Sequence, residues 1–276
     1  MRLDEALRMA ARTLDGHSGS PRLDAALILA HVLRRPREYL IAHGEEPLSA
    51  EQGGAFAKLL SLRVAGMPIA YILGARPFYD REFRLTSHVL IPRPETEHVV
   101  EAALSWAAGR PGPLWVVDVG TGSGVIGVSV AAHLPAAQVV ATDVSFPALQ
   151  IAQINGEGLP NLHFAQSDLL SALSGPFDII AANLPYIATA DLSVLDVAKF
   201  EPHIALDGGP DGLVLIRRLL AQAPTRLRRP GLVLLEMGAD QGAAVAALGR
   251  AAFPAADVRV LKDLAGLDRV VRIAVD

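Results

Sequence analysis

The chain has no cysteine, which excludes a disulfide framework and a thiolate metal site. His133, His163 and His203 fall at no metal-ligand spacing. No Gly-Lys pair occurs, so there is no P-loop. Excess charge is also missing: 25 Lys and Arg stand against 29 Asp and Glu, a net of −4. That balance argues against broad binding to a phosphate backbone. No apolar run approaches the roughly 18 uninterrupted residues of a membrane span. The opening Met1-Arg2-Leu3-Asp4-Glu5-Ala6 lacks a charged-then-apolar leader pattern. These absences point to a cytoplasmic chain with no membrane partner.

What is present is apolar surface: 51% of the 276 residues are hydrophobic and 20% are charged. That suits a globular protein with a large core, and the length suggests two domains. The first part, 1–75, reads as all-helical. Leu3, Ala6, Leu7, Ala10 and Leu14 recur at helical spacing. Ser20-Pro21 reads as an N-cap followed by first-turn proline, opening a helix to about Leu33. Ser49 with Gln52 reads as a capping box before a helix through Val64. Pro68 to Gly74 reads as a further short helix. From pattern alone this module is either a substrate-docking domain or a structural cap. The basic cluster Arg34, Arg35 and Arg37 reads as a solvated face.

A linker over 76–92 follows, with a β-hairpin suggested by alternation from Pro77 to Leu85. Pro92 and Pro94 force an extended turn, and a helix starts near Glu95 or Thr96. Arg93 and Glu95 read as a hinge ion pair in preference to pocket lining. Gly109-Arg110-Pro111-Gly112-Pro113 marks a break.

From there the pattern changes to strand, turn, helix, strand. Leu114 to Asp118 reads as a buried strand, Gly120-Thr121-Gly122-Ser123-Gly124 as a tight loop, and Val125 to Ala132 as a helix. Gln138 to Asp143 is a second strand, Leu162 to Gln166 a third and Phe177 to Ala182 a fourth. This is the layout of an open parallel α/β sheet, which binds its ligand beyond the carboxyl ends of its strands. The catalytic domain runs over 93–276. Later, Leu213 to Leu227 reads as a helix, Leu232 to Glu236 as a strand, Ala243 to Phe253 as a helix, and the two segments after it as a closing strand pair. Phe200-Glu201-Pro202-His203 is placed to close over the site.

The loop glycines admit a ligand to the backbone. Asp143 stands nineteen residues beyond Gly124, where a carboxylate accepts both hydroxyls of a ribose. The spacing is Gly-x-Gly-x-Gly, and Asp118 lies two residues before the first glycine. An acid there faces a pyrophosphate badly and an amino-acid ammonium well. The residues thus favour S-adenosyl-L-methionine, with S-adenosyl-L-homocysteine as product, over NAD. Asp168 and Leu169 are candidates to meet the adenine amino group and ring; a loop-structural role is equally open.

Asn183-Leu184-Pro185-Tyr186, together with the glycine loop and Asp143, resembles the class I methyltransferases that alkylate planar nitrogens. More closely, the chain resembles the release-factor glutamine N5-methyltransferases. The shared segments are Arg22-Leu23-Asp24-Ala25, Pro68 to Gly74, Leu90-Ile91-Pro92-Arg93-Pro94-Glu95-Thr96-Glu97, the glycine loop, Asn183 to Ile187, Phe200-Glu201-Pro202 and Leu234-Leu235-Glu236. The resemblance implies a Rossmann-like seven-stranded sheet with a helical N-terminal docking domain. It implies as partner the Gly-Gly-Gln loop of peptide-chain release factors, with no stable nucleic-acid partner, and a monomer. It also implies that Asn183 and the Leu184 carbonyl orient the glutamine amide, with Pro185 stiffening the loop and Tyr186 stacking on the amide. The family usually has Asn-Pro-Pro-Tyr; a backbone carbonyl serves equally from leucine. The alternative is an adenine-N6 methyltransferase acting on rRNA or DNA, whose rRNA members share Asn-Leu-Pro-Tyr. The helical module, the Ile91 to Pro94 segment and the net acidity stand against it.

Overall fold

The computed structural model describes residues 1–110 and 112–276. It divides into two compact units, Met1–Arg76 and Pro77–Asp276. The break expected around Gly109 to Pro113 includes Pro111, which lies outside the described residues.

The first unit is built from α1 (Leu3–Thr13), α2 (Pro21–Leu33), α3 (Arg37–Ala42), α4 (Ala50–Val64) and α5 (Ile69–Leu73). Leu3, Ala6, Ala10, Leu14, Ile28, Leu29 and Phe56 form its core. The capping box is made: Gln52 N donates to Ser49 Oγ and Ser49 N to Gln52 Oε1, at 3.1 and 2.9 Å. Pro21 does open α2, but Ser20 caps nothing; its hydroxyl donates to Asp24 at 3.2 Å. Asp24 is buried and also takes Arg63 and Ser18, both at 2.6 Å. A buried carboxylate needs such partners, because desolvation otherwise costs several kcal/mol. Helix α3 was not expected from the pattern.

The second unit begins in the hairpin β1 (Ala75–Phe78) and β2 (Arg81–Arg84), then α6 (Glu97–Ala107). Its centre is a seven-stranded sheet of β3 (Trp115–Val119), β4 (Gln138–Asp143), β5 (Leu162–Gln166), β6 (Phe177–Ala182), β7 (Leu227–Glu236), β8 (Asp257–Lys262) and β9 (Asp268–Val275). Strand order is β5-β4-β3-β6-β7-β9-β8. The first five run parallel, and β9 is antiparallel to both β7 and β8. Helices α7 (Val125–His133), α8 (Phe146–Asn155), α9 (Val214–Gln222) and α10 (Gly242–Ala252) complete it. Val125 to Ala131 are all buried, and a helix apolar all round has to be.

Two expectations are corrected. The helix expected to reach Leu227 stops at Gln222 and tightens into a 3-10 turn over Ala223–Thr225. Pro224 lacks the N–H a continuing helix needs and disfavours helical geometry before it. Strand β7 accordingly starts at Leu227, five residues earlier than the apolar run suggested.

Chain order reverses direction across the sheet between β3 and β6. Such a switch point leaves a crevice at the carboxyl edge. Register fixes what meets there. Val119 pairs with Thr142 on one side and Ala182 on the other, and Ala182 pairs with Leu235. One residue further on, Asp143, Gly120, Asn183 and Glu236 stand in one row.

Candidate active site

A cavity of about 340 Å³ opens at this edge, lined among others by Gly120 to Ser123, Asp143, Leu169 and Asn183 to Pro185. Asp143 is held by backbone: Gly122 N donates to one oxygen at 2.9 Å and Ser145 N to the other at 2.8 Å. Each oxygen keeps a second acceptor position, so the pair fits a diol. Burial raises its pKa; the amides of Ser145 and Gly122 oppose that. A Cβ on Gly122 would meet nothing within 4 Å, so the loop faces open space there.

Asp118 is placed differently from the expectation of an ammonium contact. It lies beneath the loop, not on the cavity wall, and is fully buried. Its Oδ2 accepts from Thr121 Oγ1 at 2.5 Å and Gly127 N at 2.8 Å, while Oδ1 has no partner. Burial pushes its carboxyl up to about 6. It clamps the glycine loop to the start of α7.

Gly120 sits at φ +72°, and a Cβ there would stand 2.9 Å from Leu184 Cδ2. The leucine at the second motif position therefore seats on the glycine loop and is buried. Leu169 adopts φ +53° and is buried on the cavity wall. Asp168 is half-exposed and pairs with Arg218 at 2.6 Å on the rim, so its carboxylate is already engaged.

Asn183 Nδ2 donates to Thr96 Oγ1 at 3.1 Å. That leaves Oδ1 as the free acceptor of the amide. The Tyr186 carbonyl accepts from Gln241 Nε2 at 2.9 Å. A Cβ at Gly212 would collide with that same carbonyl, which is why the turn expected at 208–212 presses so closely on the motif. The Tyr186 ring is half-buried and is absent from the cavity wall. Burial, then Glu236, push its hydroxyl up to about 12.

Arg93 and Glu95 do not pair. Arg93 donates to Glu201 Oε1 at 2.5 Å, and Glu201 Oε2 accepts from Ile91 N at 2.9 Å. Glu201, in the segment expected to close over the site, is thus a buried tie to the 91–93 wall. From the sequence alone Glu236 and Gln241 carry no role, Thr96 is only a helix start, and Glu201 is only part of the closing segment. Glu201 and Glu236 carried one available signal, an acid inside an apolar run or next to proline. Among the described residues, no group of three or more His, Asp or Glu side chains is placed to hold a metal. No helix of them is long and apolar enough to cross a membrane.

A switch-point cavity with a glycine loop, a backbone-held acid and a wall of Asn183, Leu184 and Pro185 is the architecture of a Rossmann-like methyltransferase. The family model for the methyltransferase small domain matches 112–200, and that for the PrmC N-terminal domain matches 5–74. A methyltransferase from Pyrococcus furiosus shares the fold at a TM-score of 0.52 and 20% identity, covering 70% of this chain and 87% of that one.

The relatives narrow this further. A release factor glutamine methyltransferase of Bordetella pertussis is 42% identical over 256 residues, covering 91% of this chain and 94% of that one. One of Moorella thermoacetica is 43% identical over 278 residues, covering 98% and 97%. The chain belongs to the release factor glutamine methyltransferase family.

Proposed function

We propose that this chain transfers a methyl group from S-adenosylmethionine to the side-chain nitrogen of the glutamine in the Gly-Gly-Gln motif of peptide-chain release factors. The observation that carries the reading is that Asn183 lines the cavity with its amide tethered through Nδ2 to Thr96, which frees Oδ1 for the acceptor. Family membership supports the substrate, and the 1–75 module is its docking domain.

Asp143 holds the ribose diol and the Gly120 to Gly124 loop admits the cofactor's backbone-facing side, with Asp118 keeping that loop in shape. Leu169 packs on the adenine. The cofactor supplies a methyl group on a sulfonium, an electrophile that needs no metal. An amide nitrogen is a poor nucleophile, since its lone pair is delocalised. Asn183 Oδ1 and the Leu184 carbonyl accept its two N–H groups and aim it. They also stabilise the positive charge that grows as the new N–C bond forms. Pro185 restricts the loop, and Tyr186 backs it. The methylated, still protonated amide is very acidic and loses its proton to water.

The test is incubation with labelled S-adenosylmethionine, a release factor and rRNA together, with the modified residue located by mass spectrometry. Label on the Gly-Gly-Gln glutamine is expected. Label in adenine, or label surviving a Gln→Ala change in that motif, would overturn the reading.

A further inference from the structure

A side-chain amide can sit either way round, and only one way presents oxygen to the cavity. Thr96 Oγ1 receives Asn183 Nδ2 in this structure. Yet a hydroxyl donates as readily as it accepts, so Thr96 alone would tolerate the opposite orientation. The choice needs a neighbour that accepts and cannot donate.

Glu236 meets that need. Register puts it beside Asn183, one residue past the Ala182–Leu235 pair. It is 1% exposed, and its Oε2 has no hydrogen-bond partner. The Thr96 hydroxyl and the Asn183 amide both act on its carboxyl as donors. An ionised carboxylate only accepts, and turning Asn183 over would set oxygen against oxygen in a dry site. We propose that Glu236, acting with Thr96, is the positioning residue that fixes which way round the Asn183 amide sits, and so keeps Oδ1 toward the acceptor. This rests on the reading of Asn183 as the group that receives the glutamine amide.

The other charged or titratable groups facing Glu236 are Glu95, which raises its pKa, Arg269, which lowers it, and the Tyr186 hydroxyl. Burial dominates and pushes the carboxyl up to about 7. Above that pH the group only accepts. Below it, the acid carries a proton it can donate, and the discrimination between the two orientations is lost. The rate of methyl transfer should therefore rise with pH through about 7.

The experiment compares single-turnover rates on a release factor for the wild type, Glu236→Gln, Thr96→Val and Asn183→Ala, each from pH 6 to 9, with cofactor affinity measured in parallel. Glu236→Gln keeps size and hydrogen bonding but restores ambiguity. Its rate should fall about 100-fold, as for a reacting group held about 1 Å out of place, with cofactor affinity unchanged and the limb near pH 7 gone. Thr96→Val removes a donor that lowers the pKa of Glu236, so its limb should move to higher pH. In an Asn183→Ala background, Glu236→Gln should have no further effect.

Wild-type rate and pH profile in Glu236→Gln overturn the assignment. So does a parallel loss of cofactor affinity and melting temperature, which would make the residue structural. If that variant does not fold, a pH limb unmoved by Thr96→Val overturns it. An active Asn183→Ala enzyme removes the reading of Asn183 itself. An inactive Asn183→Ala beside a normal Glu236→Gln removes only Glu236.

Discussion

The two walls of the cavity are built by different means. The glycine-loop wall is held mainly from within one strand-helix-strand unit, with Gly122 reaching Asp143 across 21 residues. Asp143 takes its amides from Ser145 and Gly122, and Asp118 takes Thr121 and Gly127. The Asn183 wall is held from far away along the chain: by Thr96, by Glu236, and by Gln241 through the Tyr186 carbonyl. One wall is local geometry repeated wherever such a loop occurs. The other exists only once the whole sheet has assembled.

If the walls divide labour in this way, breaking the second should abolish chemistry and spare binding. Asn183→Ala should cost about 10³-fold in turnover and leave cofactor affinity within a factor of a few. Calorimetric titration beside the methylation assay separates the two.

Glu236 sharpens the comparison through stability. Its carboxyl is raised from 4.5 to about 7. A raised acid binds its proton more tightly folded than unfolded. The penalty is absent below the unfolded value, grows between the two, and is full above about 7. Glu236→Gln should therefore be more stable than the wild type at pH 8 by roughly 3 kcal/mol, with the gain vanishing near pH 4. Denaturant melts at both pH values check this.

Breaking the first wall should do the reverse. Asp143→Ala removes two charge-assisted hydrogen bonds to a diol and should weaken cofactor binding about 100-fold, while turnover at saturating cofactor falls much less. The two walls meet at Gly120. Gly120→Ala combines a positive φ with a clash on Leu184 and should destabilise by about 2 kcal/mol. Adding Leu184→Ala should recover part of that loss, a non-additivity of about 1 kcal/mol in a double-mutant cycle. Gln241→Ala should be mildest, freeing the Tyr186 carbonyl and the Gly238 N–H for about 1 kcal/mol in all, read as a small fall in turnover with cofactor affinity intact.

The same division explains what the amino-acid sequence discloses. The strands β3 to β6, the glycine loop and the acid at 143 are legible because each strand and the loop is specified locally and the acid falls at a fixed step, nineteen residues past Gly124. Asn183 to Tyr186 is legible as a motif, but not its supports. Arg93 illustrates why. The nearest acid in sequence, Glu95, looks like its partner, and the actual one is Glu201. Thr96 and Glu236 look like a helix start and a strand end until the turn before α6 and the β6–β7 register set them beside Asn183. The place of Asp118 in the loop pattern suggests a surface for an ammonium. Its burial depends on Gly127, where the missing Cβ lets helix α7 close down on the carboxylate.

The row Asp143, Gly120, Asn183, Glu236 also acts as a ruler. Neighbouring strands are about 4.8 Å apart, so Asp143 and Asn183 stand about 10 Å apart at the backbone, two strand steps along the edge. A molecule gripped by its hydroxyls at one mark has to carry its transferable group most of the way to the other. The sheet's own spacing thus selects for ligand length before any side chain selects for chemistry.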